Sequence, residues 1–172
     1  MDGTVKVFHL ANKRLVNTFI HYTATNLTSS NNEEIGGMDM EEEESILGVE
    51  CVGFSGPQFS WVASGGLDNN LKIWDRSTNA MRCACIHPAP VVALKWHTIK
   101  PLLVTSCLDY NARVWDARNG NLVFNLTGHS GPVTSIDMTS LPIEQNSNDD
   151  IEYLATVSDD NTCRIWQIKF DI

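Results

Sequence analysis

Three times along this chain a histidine, a hydroxyl, an aspartate and a tryptophan fall into one pattern. His21, Ser64, Asp68 and Trp74 form the first set, His87, Thr105, Asp109 and Trp115 the second, and His129, Thr156, Asp160 and Trp166 the third. In each, the aspartate follows the hydroxyl by four residues and the tryptophan follows the aspartate by six. Histidine, hydroxyl and carboxylate make the constellation of nucleophilic catalysis, in which the imidazole takes the hydroxyl proton and the carboxylate orients the ring. Repetition argues the other way. An enzyme does not need three copies of one active site, and no Gly-x-Ser-x-Gly elbow, phosphate loop or His-Glu-x-x-His helix stands in the sequence. The competing chemistry is structural: a buried Asp and His need partners, an indole N–H can only donate, and the four groups can satisfy one another.

Other candidate sites are weaker. Cys83, Cys85 and His87 alternate, which puts three potential metal ligands on one face of a strand. No second Cys/His pair lies nearby and His87 belongs to the repeated set, so the expectation is no metal, no cofactor and core thiols. The five cysteines (Cys51, Cys83, Cys85, Cys107, Cys163) are odd in number and sit inside apolar strand patterns, so they read as buried, reduced, small hydrophobes. Asn26-Leu27-Thr28 and Asn125-Leu126-Thr127 match the glycosylation pattern by chance, since no secretory h-region follows Met1.

Charge is uneven. Of a net −9, seven acids (Glu33, Glu34, Asp39, Glu41, Glu42, Glu43 and Glu44) fall between Tyr22 and Ser45 without one Lys or Arg, which leaves −2 for the remainder. With no basic stripe to neutralise phosphates, direct nucleic-acid binding is not expected; a basic protein is the natural electrostatic partner. No apolar run approaches the ~20 residues of a membrane helix. The expected setting is cytoplasmic, and nuclear as well.

The elements that must position the repeated set are short strands. Thr4–His9 alternates apolar and polar residues, Leu15–Ile20 follows a turn, and residues 22–45 are too polar to offset their ordering entropy and read as a disordered insertion. Strands are then expected at Leu47–Phe54, Phe59–Ser64, Leu71–Asp75 and Met81–Ile86, at Val91–Trp96, Leu102–Ser106, Ala112–Asp116 and Leu122–Leu126, and at Val133–Met138, Ile151–Val157 and Cys163–Ile168. Asp68 and Asp109 are 41 residues apart; the longer intervals from Asp2 to Asp68 and from Asp109 to Asp160 each contain one polar insertion, residues 22–45 and 141–150. Four short strands repeating about every forty residues are the signature of propeller blades. The expected division is 1–21 as the last two strands of a blade, 22–45 as the acidic insertion, 46–86 and 87–126 as complete blades, and 127–172 as a final blade without its closing strand.

These units resemble WD repeats, the all-β propeller family in which a loop His, a strand Ser/Thr, a turn Asp and the Trp form a hydrogen-bonded tetrad. Gly128-His129 and Trp115-Asp116 match the family pattern; Ile86 before His87 and Gln167 after Trp166 depart from it. The acidic insertion, Gly66-Leu67-Asp68-Asn69-Asn70-Leu71-Lys72-Ile73-Trp74, the paired cysteines and Val114-Trp115-Asp116-Ala117-Arg118-Asn119-Gly120 together resemble the C-terminal half of the angio-associated migratory cell protein family. That family includes the fungal chaperone dedicated to one large-subunit ribosomal protein. The resemblance implies a non-catalytic platform that shields a basic ribosomal protein before assembly. Trp115-Asp116-Ala117-Arg118 also resembles the Trp-Asp-x-Arg signature of cullin-RING ubiquitin ligase receptors, which offers a general scaffold or receptor, acting through Arg118, as the alternative. Thirteen strands fall short of closing a ring, so the chain is expected to be part of a longer protein or to associate with a complementary fragment.

Overall fold

The structure is a computed structural model that describes residues 3–21, 48–139 and 151–169. The expected insertions 22–45 and 141–150, with their acidic residues, lie outside the described residues. Thirteen strands and no helix appear among them. Strands β1 (Thr4–His9) and β2 (Arg14–Ile20) form a two-stranded sheet. β3 (Val49–Phe54), β4 (Trp61–Gly66), β5 (Asn70–Asp75) and β6 (Ala80–Ile86) form the first complete blade. β7 (Val91–Trp96), β8 (Leu102–Cys107), β9 (Ala112–Asp116) and β10 (Asn121–Leu126) form the second. β11 (Val133–Thr139), β12 (Ile151–Ser158) and β13 (Cys163–Lys169) form a three-stranded sheet. All pairings are antiparallel meanders, so each sheet is built from local hairpins.

Burial follows position in the blade. The second strands β4 and β8 are packed on both faces by neighbouring blades, which is why they read as nearly continuous apolar or small runs, Val62–Gly66 and Leu102–Cys107. The fourth strands β6 and β10 are largely exposed. Three apolar seams hold the blades together. Val5, Val7 and Phe19 pack on Val62 and Trp74. Leu71, Ile73 and Cys85 meet Trp96, Leu103 and Trp115. Val104 and Val114 meet Met138, Leu154 and Ile168.

The hairpin turns repeat in detail. Asn69, Tyr110 and Asn161 occupy the same turn position with φ of 61°, 73° and 64°. The preceding aspartate shapes each turn by accepting a backbone N–H two residues on: Asn70 to Asp68 at 3.1 Å, Asn111 to Asp109 at 3.3 Å and Thr162 to Asp160 at 2.9 Å. Asn tolerates this left-handed conformation, whereas Tyr110 carries a Cβ and ring into it at a cost of about 1 kcal/mol or more.

The cysteine expectation needs correction. All five are free, but only Cys85 and Cys107 are buried; Cys51 and Cys83 are half-buried and Cys163 is exposed. Cys163 and Ile165 occupy the positions of Leu71 and Ile73 on β5 and of Ala112 and Val114 on β9. Those four are buried because another blade stands against them, and no described residue stands against β13 on that side. The second strand of the first complete blade, β4, also shifts from the expected Phe59–Ser64: Phe59 lies in the turn closed by its N–H on the Gly56 carbonyl, and the strand starts at Trp61.

Candidate functional site

The repeated side chains converge at one end of the blades, where the loop leading into each blade meets the turn between its second and third strands. In the first complete blade the network is continuous. The Trp74 indole N–H donates to Ser64 Oγ at 2.9 Å, Ser64 Oγ lies 2.7 Å from His21 Nδ1, and His21 Nε2 lies 3.1 Å from Asp68 Oδ1. Burial pushes the Asp68 carboxyl up, but the hydrogen bonds from His21 and the Asn70 N–H and the charge of Lys72 outweigh it and hold the group at about 2. Since the carboxylate can only accept, His21 Nε2–H donates to it and Nδ1 accepts from Ser64. Lys72 Nζ, 3.4 Å from the other Asp68 oxygen, also donates to the His21 carbonyl.

The last blade reproduces the chain of bonds with the imidazole turned over. Trp166 donates to Thr156 Oγ1 at 2.9 Å, Thr156 lies 2.8 Å from His129 Nε2, and His129 Nδ1 lies 2.8 Å from Asp160 Oδ2. The Thr162 hydroxyl, followed by the Ser130 N–H and His129, holds Asp160 well below the usual carboxylate range.

The middle blade departs from the expected tetrad. Trp115 donates to Thr105 Oγ1 and His87 Nε2 approaches the same oxygen, both at 2.9 Å. His87 Nδ1, however, pairs with the Cys85 carbonyl at 3.1 Å, and Asp109 is taken by Arg113. In this blade the cation at the fourth residue after the aspartate takes the carboxylate. Lys72 leaves one Asp68 oxygen for His21, and Arg164 of the last blade lies by Gly128 and leaves Asp160 to His129, whereas the Arg113 fork engages both Asp109 oxygens, Nη1 at 3.1 Å from Oδ1 and Nη2 on Oδ2. Burial pushes His87 down to about 4, so its ring is neutral at ordinary pH.

None of these sets can act as a catalytic triad. Ser64, Thr105 and Thr156 are fully buried, and each hydroxyl already binds an indole N–H and an imidazole. Their role is to staple the incoming loop to the turn. Ser64→Ala leaves the Trp74 N–H and His21 Nδ1 without a partner, so it is expected to lower stability by about 2 kcal/mol, read as a reduced urea midpoint at unchanged slope.

Arg118, the residue of the receptor alternative, folds back onto Asp116: Nε is 2.9 Å from Oδ1 and Nη2 is 2.7 Å from Oδ2. Its side chain remains about half exposed. A second staple was not read from the sequence. His97, in the loop after β7, accepts the N–H groups of Ile99 and Lys100 on Nδ1, and its Nε2 lies 2.7 Å from Glu152 Oε2 on β12. Lys100 Nζ is 3.2 Å from the other Glu152 oxygen. This ion pair ties the second complete blade to the last one. Glu152 lies 55 residues beyond His97, across the second insertion, so no local signal marks it.

Meandering four-stranded sheets side by side, each with a His–Ser/Thr–Trp staple, define a β-propeller scaffold, open in the described residues. The chain belongs to the WD-repeat family: the family model "WD domain, G-beta repeat" matches residues 44–75, 82–116 and 120–167. It is similar to the angio-associated migratory cell protein of Canis lupus familiaris, 29% identical over 74% of this chain and 27% of that protein. It is also similar to the nuclear distribution protein PAC1 of Komagataella phaffii, 26% identical over 95% of this chain and 30% of that protein. In fold it resembles the crystal structure of Saccharomyces cerevisiae Sqt1, with a TM-score of 0.74 at 17% identity over 97% of this chain and 39% of that chain. The chain thus spans under a third of the length of the curated relatives it matches.

Proposed function

We propose that this WD-repeat interaction scaffold is a non-catalytic chaperone or adaptor for a basic ribosomal protein, working in the cytoplasm and the nucleus. The observation that carries the reading is where the acidic insertion is rooted. His21, just before it, is bound to Ser64 and Asp68, and the carbonyl of Gly48, just after it, accepts the Leu67 N–H at 2.9 Å. Both roots are therefore fixed to the β4–β5 turn, and the sequence between them carries seven acids and no Lys or Arg. A concentrated run of negative charge speeds capture of a basic chain, and salt weakens it. The similarity to angio-associated migratory cell proteins supports the same assignment.

The test is affinity capture at low and high salt with the chain and its variants. Recovery of one basic ribosomal protein, lost at about 1 M salt where the Debye length is roughly 3 Å, and lost when Glu41–Glu44 are replaced by Ser, is the expected result. Recovery of cullin adaptors that disappears with Arg118→Ala, and that ignores the Glu-to-Ser replacement, would overturn it in favour of a ligase receptor.

A further inference from the structure

Every seam among the described residues joins the same two faces. The residue before the tryptophan position points to the following blade, and the aromatic of that blade receives it: Val7 packs in one cluster with Trp74, Ile73 with Trp115, and Val114 with Trp166. Two residues hold these positions with no described blade against them. Phe8 stands in the place of Trp74 and Trp115, yet it is 52% exposed where they are 7% and 6% exposed. Ile165 stands in the place of Ile73 and Val114, which are fully buried, yet it is 73% exposed. Neither is an isolated apolar side chain. Residues directly opposite in an antiparallel pair share a face. Leu15 lies opposite Phe8 and Ile20 opposite Thr4, and both are exposed. Val157 lies opposite Cys163 on the Ile165 face, and these two are exposed as well. One end of the array therefore presents the face that receives a seam, and the other end presents the face that enters one.

We propose that two copies of this chain associate head to tail, the Ile165 face of each covering the Phe8 face of the other. The contact continues the interface that already joins the blades, with Ile165 and Cys163 of one copy meeting Phe8 and Ile20 of the next as Ile73 and Leu71 meet Trp115. A contact between two different faces either closes into a ring or runs on as a filament. Here closure is available at two copies. Each copy has four sheets, so a pair brings eight blade positions, within the roughly four to eight that make a propeller. A closed pair covers both open faces of both copies and leaves no end to grow from. The driving force is apolar burial, and charge works against it, because each copy carries a net −9. Salt screens that repulsion and leaves the apolar contact in place, so association strengthens with salt. Capture of a basic client by the acidic run has the opposite salt dependence, which keeps the two readings separable.

The test is sedimentation velocity of the whole chain over a range of protein concentrations, at low salt and at about 1 M salt, where the Debye length is roughly 3 Å. The 19.1 kDa monomer is expected to give way to a discrete dimer as concentration rises, and more readily at high salt. Cys163 supplies a second readout, since the partner copy covers it. Its alkylation by iodoacetamide is expected to slow about tenfold from dilute to concentrated protein, as mass action depletes the free copy. Phe8→Glu and Ile165→Glu change exposed side chains, so each variant is expected to keep the urea midpoint of the parent. Each alone is expected to stay monomeric, with Cys163 reacting at the dilute rate. Mixed in equal amounts they are expected to pair, because Ile165 of the first variant and Phe8 of the second still make one intact seam. The proposal fails if the parent chain stays monomeric at every concentration and salt, or assembles only into species larger than a dimer. It fails equally if either variant alone still dimerises, or if the mixture does not.

Discussion

Trp115→Ala is expected to lower the stability of this chain by about 3 kcal/mol or more. Trp115 is nearly inaccessible and stands in the seam cluster with Trp96, Leu103 and Leu71, so its removal opens a cavity between the two complete blades. It also donates to Thr105 and packs against His87, with ring centroids 4.9 Å apart. Truncation therefore combines a cavity with the loss of a buried hydrogen bond, and loosens the loop that His87 enters. Trp115→Phe keeps much of the volume and lacks the N–H, so it isolates the hydrogen-bond share, expected at about 1 kcal/mol. Urea or thermal unfolding of the two variants checks both values. A Trp115→Ala chain with unchanged stability would show that the seam does not depend on the staple.

Much of this arrangement was legible in the sequence because its signals are local. Period-two alternation marks the strands, and an aspartate four residues after a buried hydroxyl marks each turn, so the strand order and the blade period could be read directly. What was not legible depends on side-chain competition or on distant neighbours. Nothing in the spacing of His87 and Asp109 distinguishes them from His21 and Asp68; the difference lies in where the cation four residues on is directed, since Arg113 engages both Asp109 oxygens whereas Lys72 and Arg164 leave the aspartate to the histidine. The exposure of Cys163 follows from what packs beyond β13, and the His97–Glu152 pair from the approach of two blades. These are properties of the packed sheets, and a strand pattern carries no record of them.

That competition has a consequence for acid stability, because it leaves the middle staple without a carboxylate. The His87 ring is buried, pairs its Nδ1 with a backbone carbonyl, and is held at about 4 against an ordinary 6.5. In the unfolded chain the ring binds a proton as pH falls through about 6.5, whereas in the folded chain it stays neutral down to about 4. The depressed folded value means that stability is fully present above 6.5, is lost as pH falls toward 4, and levels off below it. The full contribution is roughly 3 kcal/mol. Histidine resonances followed by NMR should show His87 titrating near 4, and the unfolding midpoint should fall across the same window. In His87→Gln that part of the pH dependence is expected to vanish, since the amide does not titrate. Arg113→Gln provides the opposite control. Removing the guanidinium takes away a positive charge that depresses His87 and leaves the negative charge of Asp109, which raises it. The His87 titration is therefore expected to move upward, and the acid loss to keep its onset near 6.5 but to level off at a higher pH with a smaller total. If the titration stays near 4 in that variant, burial alone sets it and the diverted carboxylate is not the reason the middle blade is acid-sensitive.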